Sequence, residues 1–444
     1  MPSLLWFRRD LRLADNAALA AALADGPVVP LFVLDDEGAG DFAVGGAQRW
    51  WLHHSLAALD QSLKGKLVLR RGPAAKIVAE VADEVRATSI HATRLYEPWE
   101  IAAEDALGSR LTLHDGDTLV PPEDVRTGSG APYKIYGPFW RKLATMLPPP
   151  EPLDRPRLRL ADGPRGDRLA DWQLLPTRPN WAEEFGTHWT PGEEGADDRL
   201  TAFAAEAGAY ARRRNLPSVD GTSSLSPHFH WGEISARQVW HALDRKGGTK
   251  FLKELAWRDF ARSAIRAQPD LGTANGRAKM NALSWRSGAA AERDFTAWTR
   301  GQTGYPIVDA GMRQLWRMGW MHNRVRMIAA SFLVKHLLID WRRGERWFWD
   351  TLVDADYGNN SLNWQWIAGT GSDSQLFSRI MAPLSQSPKF YAADYIREWV
   401  PELAHLTEPD IHDPPDELRG DYPAKIVGHQ EGRARALAAL AKVR

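Results

Sequence analysis

Two nearby stretches, GWMHNRVRM at residues 319–327 and LVDADYGNNSLNWQW at residues 352–366, set tryptophans among Asn, Arg and Asp side chains. Thirteen of the 21 tryptophans lie from Trp231 onward, so the C-terminal part of the chain is rich in indole rings. A hydrophobic core is normally built from Leu, Ile and Val, because a buried indole N–H needs a hydrogen-bond partner. The pattern indicates one of two uses: flat faces on which a planar ring can stack, or redox-active side chains along a buried electron route.

The two stretches lie in a part of the chain that is predicted to be helical. From about Gly195 onward apolar residues recur with the helical period, as at residues 327–341 and 434–443, and strand signals are absent. The N-terminal part instead alternates short apolar runs with amphipathic stretches. Strands are predicted at residues 4–7, 28–34, 66–69, 88–92 and near Leu111, with helices at residues 47–63 and 74–85 between them. This alternation predicts a doubly wound, Rossmann-like parallel sheet that is covered on both faces.

The chain is expected to form two domains joined by a linker. At 444 residues, with 44% hydrophobic and 25% charged side chains, it is globular and too long for one ordinary domain. Residues 148–168, PPPEPLDRPRLRLADGPRGDR, are rich in proline and charge and are expected to run over the surface without packing. We predict an α/β domain at residues 1–128, a linker at 129–195 and an all-α domain at 196–444.

The composition excludes several classes of site. The chain has no cysteine, which rules out disulfides, thiolate nucleophiles and iron–sulfur clusters and suits a reducing cytoplasm. The N-terminus MPSLLWFRRD does not resemble a signal peptide, and no apolar run is long enough to span a membrane. Because 56 basic residues balance 56 acidic ones, binding to nucleic acid would need a local basic patch. We expect a soluble, cytoplasmic protein.

Two further motifs have the residue types of ligand contacts. In GTSSLSP, at residues 221–227, Ser226 is predicted to cap a helix whose first turn holds Pro227. Hydroxyls and free N–H groups at a helix start suit a phosphate, although simple capping is the more common reason for such a pattern. In ELAWRDF, Glu254, Trp257 and Arg258 share one helical face and suit a flat ligand. The plainer alternative is a surface Glu and Arg beside a core Trp.

The opening stretches show the same mixture of polar groups and indoles. GWMHNRVRM is predicted to place Trp320, Asn323 and Met327 on one helical stripe, a face too polar for plain core, while His322 is interpreted as structural. In LVDADYGNNSLNWQW, two acids stand two residues apart, but no His or third acid lies at ligand spacing, so no metal site is predicted. Hydrogen bonding to the edge of a heterocyclic ring is the better use of these acids.

Together with WFRRDLRLADN at residues 6–16, these motifs resemble the photolyase/cryptochrome flavoprotein family, and most of all its cyclobutane pyrimidine dimer photolyases. The resemblance runs from Leu4 to about Leu403. It implies an N-terminal antenna domain, a C-terminal helical domain that binds FAD, and DNA containing pyrimidine dimers as the substrate. The implied reaction is light-driven repair, in which excited reduced FAD passes an electron to a flipped-out dimer. A monomer with no membrane partner is implied as well.

The resemblance assigns cofactor contacts residue by residue. Asn360 is implied to lie at flavin N5, and Arg326 to pair with Asp354 beside the ring. The full set of implied FAD contacts is Tyr210, Thr222, Ser223, Leu225, Ser226, Phe251, Arg258, Arg326, Asp354, Asp356 and Asn360.

It assigns substrate contacts in the same way. Trp257 and Trp366 are implied to be the two walls of the dimer pocket, and Met327 to line it. Glu254 is implied to hydrogen-bond a thymine carbonyl, and Asn323 to lie between substrate and flavin. The implied contacts to DNA phosphates are Arg214, Arg324 and Lys389.

Electron transfer and light harvesting are also implied by the resemblance. Trp364, Trp341 and Trp285 match the family's electron-transfer triad, in order from the flavin outward. Because this chain has about three more residues than the family pattern between Trp285 and GQTGYPIVDAGMRQL, Trp298 stays open as another exit point. An antenna chromophore, methenyltetrahydrofolate or a deazaflavin, is expected near Trp99 and Glu100, where folate-binding relatives carry Asn and Glu.

Two alternatives to a repair enzyme remain. A cryptochrome-like blue-light photoreceptor would bind FAD and signal to a partner, but plant and animal cryptochromes typically carry Asp or Cys where this chain has Asn360. A light-independent flavin oxidoreductase would need a nicotinamide site, and no G-x-G-x-x-G fingerprint follows a predicted strand. Repair of the (6-4) photoproduct is disfavoured, because those relatives carry histidines in place of Asn323 and Met327.

Overall fold

The N-terminal part forms a parallel five-stranded sheet in the computed structural model, which describes residues 1–244 and 248–443. Its strands are β1 Ser3–Phe7, β2 Val28–Leu34, β3 Val68–Arg71, β4 Ile90–Thr93 and β5 Leu111–His114. All residues of β1 and β2 are buried, as expected for parallel strands covered on both faces. The strand order is β3-β2-β1-β4-β5, which confirms the doubly wound prediction and places the switch point between β1 and β4.

Helices lie between the strands, and from about Gly195 onward the described chain is mostly helical, as predicted. The helices of its first part are α1 Ala17–Asp25, α2 Gly46–Ser62, α3 Ala74–Glu84, α4 Pro98–Leu107, α5 Tyr136–Leu143, α6 Phe185–His188, α7 Glu193–Glu206, α8 Tyr210–Arg213, α9 Ser226–Trp231 and α10 Ala236–Asp244. They are followed by α11 Thr249–Ala267, α12 Ala289–Thr299, α13 Pro306–Met318, α14 Asn323–Ser331, α15 Trp341–Thr351, α16 Tyr357–Ala368, α17 Pro383–Lys389, α18 Ala393–Trp399 and α19 His429–Ala441.

Local sequence explains how the helices of the sheet domain begin and pack. α1 begins after Asn16, whose side chain accepts a hydrogen bond from the Leu19 N–H at 2.9 Å. In α3 the apolar positions Ala74, Val78 and Val81 recur at helical spacing, and all three are buried against the sheet. The same hydrophobic face that predicts the helix therefore also fixes its orientation on the strands.

The chain divides into two compact units whose bounds differ from a simple N-terminal and C-terminal split. The first unit contains Met1–Gly208, Ser223–Pro269 and Val353–Gly358, and the second contains Ala209–Thr222, Asp270–Leu352 and Asn359–Arg444. Within the second unit, α13 packs against α14 and α18. The domain boundaries predicted near residues 128 and 195 remain predictions.

The proline-rich stretch at residues 148–168 runs over the surface, as expected, but it also packs on the sheet, contrary to the expectation. The Val28 N–H donates to the Arg159 carbonyl and the Ala161 N–H donates to the Val28 carbonyl, each at 2.8 Å. Leu153 exchanges hydrogen bonds with Asp15 at 2.9 and 3.0 Å. Proline removes backbone donors, but the residues between the prolines keep theirs and use them at the sheet.

The helix predicted at residues 327–341 is interrupted. α14 ends at Ser331 and continues as a π-helical turn, Phe332–His336, and α15 begins only at Trp341 with Asp340 as its cap. Leu338 adopts a positive φ of 51° in the break, a conformation that a regular helix excludes. Apolar periodicity continued through the break because the intervening residues are also buried.

Candidate functional site

Three arginines and three carboxylates form a buried cluster in the first unit. The arginines come from the end of β1 and from α11, and the acids from three loops. The members are Arg9, Arg258, Arg262, Glu97, Asp117 and Asp356. Because the cluster pairs each positive charge with a negative one, it can remain ionised out of contact with water.

Arg262 is the centre of this cluster. Its Nη1 donates to both carboxylate oxygens of Asp356, at 3.0 and 2.8 Å, and its Nε donates to Asp117 Oδ2 at 2.5 Å. The same Nη1 lies 3.5 Å from Glu97 Oε1. Arg9 pairs with Glu97, and Arg258 lies 3.2 Å from Asp117 Oδ1. The Arg262 side chain therefore joins three acids that the sequence separates widely.

The charges of the cluster hold its acids ionised. Burial opposes ionisation of Asp356, but Arg262, Arg258 and Arg9 outweigh it and lower the pKa of this carboxyl far below its usual value. Asp117 behaves alike: burial raises its pKa, and Arg262 and Arg258 more than reverse that effect. Asp356 therefore carries a fixed negative charge. It is one of the two acids that the resemblance assigns to the edge of the flavin ring.

The position of the cluster follows from the sheet topology. Arg9 comes shortly after β1, Glu97 precedes α4 after β4, and Asp117 follows β5. In an open parallel sheet these carboxyl ends meet at one edge, and the switch point between β1 and β4 is where ligands usually bind. The chain lacks a glycine-rich phosphate loop at this edge and presents the charged cluster instead.

The indole of Trp257 is fixed on α11 by a neighbouring aromatic ring. Tyr136 stacks on it with ring centroids 3.7 Å apart and planes 7° apart, and the Tyr136 hydroxyl donates to the Lys253 carbonyl. Trp257 is only half-buried. Glu254, one turn earlier, pairs with Lys250 at 2.8 Å. The ring that resemblance assigns to the dimer pocket is therefore held rigidly, with a carboxylate near it on the same helix.

The hydroxyl-rich loop before α9 differs from the prediction in its cap. The helix begins at Ser226 itself, with Leu225 in the capping position, so Ser226 is not the cap. Ser224 adopts a positive φ of 50°, and the Ser223 hydroxyl accepts from the Leu225 N–H at 3.3 Å. Because the backbone of Ser224 is left-handed, the capping position falls on Leu225, one residue before the predicted cap at Ser226. The sequence pattern does not reveal this backbone conformation.

In the second unit, the implied DNA-binding cations come together. The Arg324 guanidinium lies 4.5 Å from the ring centre of Phe390, and the Lys389 ammonium lies 5.6 Å from the same ring. Arg324 also donates to Asn215 Oδ1 at 2.7 Å, and Arg214 packs on the Tyr210 ring at 5.3 Å. These residues form a local basic patch. The neutral overall charge of the chain did not decide whether such a patch exists.

The positive charges of this patch also affect His322. Burial, together with the positive charges of Arg324, Arg326 and Arg214, lowers its pKa to about 4. The His322 Nδ1 accepts from the Arg324 N–H at 3.2 Å as the cap of α14, which agrees with its interpretation as structural. Because α14 begins only at Asn323, Trp320 lies before the helix and is not part of the predicted stripe.

Asn360 is held by a buried acid in the second unit. Its side-chain nitrogen donates to the main-chain oxygen of Glu345 and to Glu345 Oε1, both at 3.1 Å. The Ser361 hydroxyl donates to the same carboxylate oxygen at 3.2 Å. Burial raises the pKa of Glu345 to about 7. Nothing in the sequence pattern indicated this acid.

The tryptophans of the implied triad differ in burial. Trp364 and Trp341 are 2% and 0% exposed, whereas Trp285 is half-buried. The Trp341 N–H donates to Asn275 Oδ1 at 2.9 Å. Trp298 lies edge-on to Trp364, with ring centroids 6.3 Å apart, and is itself fully buried. Trp285 therefore suits an exit to solvent better than Trp298 does, while Trp298 is well placed beside the inner ring.

The two residues expected at an antenna site already have partners. Glu100 pairs with Arg8 at 3.1 Å, and Trp99 stacks on Phe42 with ring centroids 6.0 Å apart. A different part of the first unit contains a cavity of about 280 Å³. Its lining includes Trp50, His54, Asn180, Glu183 and Trp189.

The remaining residues that the resemblance assigns to a site are divided between the two units. The first unit holds Ser223, Leu225, Ser226 and Asp354, and also Phe251 on α11, whose ring lies 4.7 Å from Phe203. In the second unit, Asn323 is exposed at the start of α14 and Met327 is half-buried one turn later, with its sulfur 3.5 Å from Arg324 Nη1. The second unit also holds Thr222 and Trp366, both half-buried, and Arg326, which donates to the Met321 carbonyl at 2.7 Å.

The polar groups of the site suit FAD. Asp354 and Asp356 are buried acids, 8% and 4% exposed, which can accept from ring N–H groups. Among the described residues, the buried Arg258 Nε has no hydrogen-bond partner and remains available as a donor. Sequence reasoning missed Arg262 and Glu345. Arg262 lies four residues after Arg258 on the same helical face, a spacing that could have identified it.

Comparison with known proteins gives a consistent answer across the whole chain. Residues 3–157 match the family model of DNA photolyase, and residues 251–442 match that of the FAD binding domain of DNA photolyase. The deoxyribodipyrimidine photo-lyase of Agrobacterium fabrum is 46% identical over 476 residues, covering 100% of this chain and 98% of the relative.

Two further comparisons extend this result. Cryptochrome-1 of Arabidopsis thaliana is 36% identical over 483 residues, which cover 99% of this chain and 70% of the relative. The crystal structure of a bacterial class III photolyase from Agrobacterium tumefaciens superimposes with a TM-score of 0.94 at 46% identity, covering 100% of this chain and 97% of that one. Along residues 1–244 and 248–443, no helix is both long and apolar enough to cross a membrane.

Proposed function

Because this chain belongs to the DNA photolyase family of FAD-dependent lyases, we propose that it repairs cyclobutane pyrimidine dimers in DNA with blue light. The choice of substrate rests on the identity of two residues of α14. Its exposed first residue is Asn323 and its half-buried Met327 follows one turn later, where relatives that repair the (6-4) photoproduct carry histidines. Asn360 supports repair over a cryptochrome-like signalling role, although the chain also resembles a cryptochrome at 36% identity.

The protein's own residues would bind and orient the damaged DNA. Arg214, Arg324 and Lys389 are suited to flanking phosphates, because contacts from Arg and Lys fix the register of a nucleic acid. A fused dimer stacks and pairs poorly, so extruding it costs less than the few kcal/mol needed for an intact base, as in photolyases generally. Trp257 and Trp366 would then stack on the extruded dimer.

The chemistry needs few protein groups. When bound, reduced FAD supplies the excited electron that opens the cyclobutane ring and afterwards accepts it back. Glu254 would orient the dimer by a hydrogen bond to a thymine carbonyl, and Asn323 would separate dimer and cofactor. The fixed negative charge of Asp356 would hold the cofactor's pyrimidine edge in place. No general base or nucleophile is required.

A repair assay tests the proposal. We expect the reduced protein, illuminated with blue light, to restore an oligonucleotide that contains one thymine dimer, and to leave a (6-4) photoproduct and the dark control unchanged. Replacing Trp257 with alanine should weaken binding of the damaged strand by roughly five- to 150-fold, because stacking is worth about 1–3 kcal/mol per base. Unchanged dimer after many absorbed photons per protein would overturn the proposal.

We also expect the second chromophore to bind in the cavity beside Trp50 rather than at Trp99. The cavity offers two indole rings to a planar heterocycle, and Asn180 and Glu183 offer polar partners for its edge. Replacing Trp50 with alanine should remove near-ultraviolet chromophore absorbance from purified protein without removing FAD. The matched variant Trp99→Ala should retain it, and the reverse result would support the expectation based on Trp99 and Glu100.

A further inference from the structure

Glu345 is a fully buried acid that belongs to none of the assigned sites. It lies on α15, four residues after Trp341, and its carboxylate faces Asn360 and Ser361 on α16. Oε1 accepts hydrogen bonds from Asn360 and Ser361, while Oε2 is buried without a hydrogen-bond partner in the described part of the chain. A buried carboxyl whose Oε2 has an ion pair with Arg346 at 3.7 Å but no hydrogen bond is costly, so its presence calls for a reason.

The contacts determine how the Asn360 amide is oriented. A main-chain carbonyl oxygen can only accept, and Glu345 Oε1 accepts as well, so the group that faces both must be the NH₂ of Asn360. Two acceptors satisfy both N–H groups of this amide. Across residues 1–244 and 248–443, the side-chain hydrogen bonds of Asn360 are made by its nitrogen, which leaves the amide oxygen as an acceptor.

We propose that Glu345 is a positioning residue that commits the Asn360 nitrogen and so presents the Asn360 oxygen to the flavin as a fixed hydrogen-bond acceptor. This rests on the proposed function, in which Asn360 lies at flavin N5. An acceptor favours flavin forms that carry a proton on N5, because that N–H can donate to it, and disfavours the oxidised ring, whose N5 is itself an acceptor. Glu345 would thus favour retention of the reduced cofactor.

The charge on Glu345 should tune this effect. Burial raises its pKa to about 7. The groups that face its carboxyl are Arg346 on α15, with Nε 3.7 Å from Oε2, and the uncharged Asn360 and Ser361 on α16. An ionised carboxylate polarises the amide more strongly than a neutral one and makes the Asn360 oxygen a better acceptor. Retention of the reduced flavin should therefore improve as pH rises through about 7.

The test uses DNA-free holoprotein, photoreduced without oxygen and then exposed to air while visible absorbance follows the return of oxidised FAD. In Glu345→Leu we expect the return to be about fivefold faster, the effect of losing one neutral hydrogen bond. Glu345→Gln keeps an acceptor oxygen of the same length and should stay within about twofold of the wild type. The ratio of wild-type to Glu345→Gln rates should fall as pH rises through about 7, because only the wild type titrates there.

Asn360→Leu separates failure of this inference from failure of the proposed function. If Asn360→Leu speeds reoxidation and Glu345→Leu retains FAD but matches the wild type, the positioning role is overturned while the flavin site stands. If Asn360→Leu has no effect, Asn360 does not contact the flavin and the proposed site itself is wrong. Should Glu345→Leu lose FAD or fail to fold, Glu345→Met, which keeps the length of the side chain but has no oxygen acceptor for Asn360, takes its place in the same comparison, and a wild-type reoxidation rate in that variant would overturn the inference.

Discussion

Replacing Arg262 with leucine is expected to lower the free energy of unfolding by about 3–5 kcal/mol, because removing one partner of a buried ion pair leaves an uncompensated charge. The guanidinium donates to Asp356 and to Asp117, and all three side chains are buried. Leucine fills part of the volume but offers no donor to either acid. Chemical denaturation at neutral pH, followed by circular dichroism, measures the change directly.

Arg266 provides the matched control. It lies one turn later on α11 and pairs with Glu123 at 3.4 Å, but both side chains are more than a third exposed. Solvent screens such a pair, so Arg266→Leu should cost less than about 1 kcal/mol. If the two variants lost the same stability, the buried cluster would not be the reason for the effect.

The pH dependence of the Arg262→Leu effect has a definite sign. In the wild type, Arg262 and the other arginines lower the pKa values of Asp117 and Asp356, against the effect of burial. Such acids contribute stability above the unfolded-state pKa of Asp, about 3.9, and lose it as pH falls further. The stability gap between wild type and variant should therefore be largest near neutral pH and shrink in acid.

The sheet domain was predictable because its signals are local. A short apolar run bounded by amphipathic stretches identifies a buried parallel strand, and each of the five strands was found within about three residues of its observed bounds. The break after Ser331 was not predictable in this way. The buried face continues through the π-helical turn and Leu338, so the apolar periodicity alone predicted one continuous helix. The packing of residues 148–168 was missed because it depends on backbone hydrogen bonds, which composition does not reveal.

The same distinction applies to the site. Trp257 and Arg258 were predictable as a group because they share one face of a single helix. Glu345 and Asn360 lie on different helices, 15 residues apart, and only the fold brings the carboxylate to the amide. Arg262 is an intermediate case: its spacing after Arg258 was visible, but its partners come from loops after β4 and β5 and from the segment before α16. Single-helix constellations can be predicted; clusters assembled from several loops cannot.

Replacing Trp364 with phenylalanine is expected to abolish light-driven reduction of the bound flavin, because phenylalanine preserves the packing but is far harder to oxidise than an indole. Trp364 is 2% exposed, and its ring lies 5.0 Å from Phe348 and 6.3 Å from Trp298. The ring packs directly on Gly344, where a Cβ would lie 2.2 Å from it. Transient absorption of the oxidised holoprotein after a blue flash measures the loss.

The controls separate photoreduction from repair and identify the route. Trp364→Phe protein that is reduced chemically should still repair a thymine dimer, because the proposed triad would act only in reducing the cofactor. Trp285→Phe should slow formation of the long-lived radical pair if the electron hole leaves through this half-buried ring. Trp298→Phe should have a smaller effect, because Trp298 is fully buried and its N–H is bound to the Ala329 carbonyl at 3.1 Å. A larger effect of Trp298→Phe than of Trp285→Phe would assign the route to the Trp298 side of Trp364.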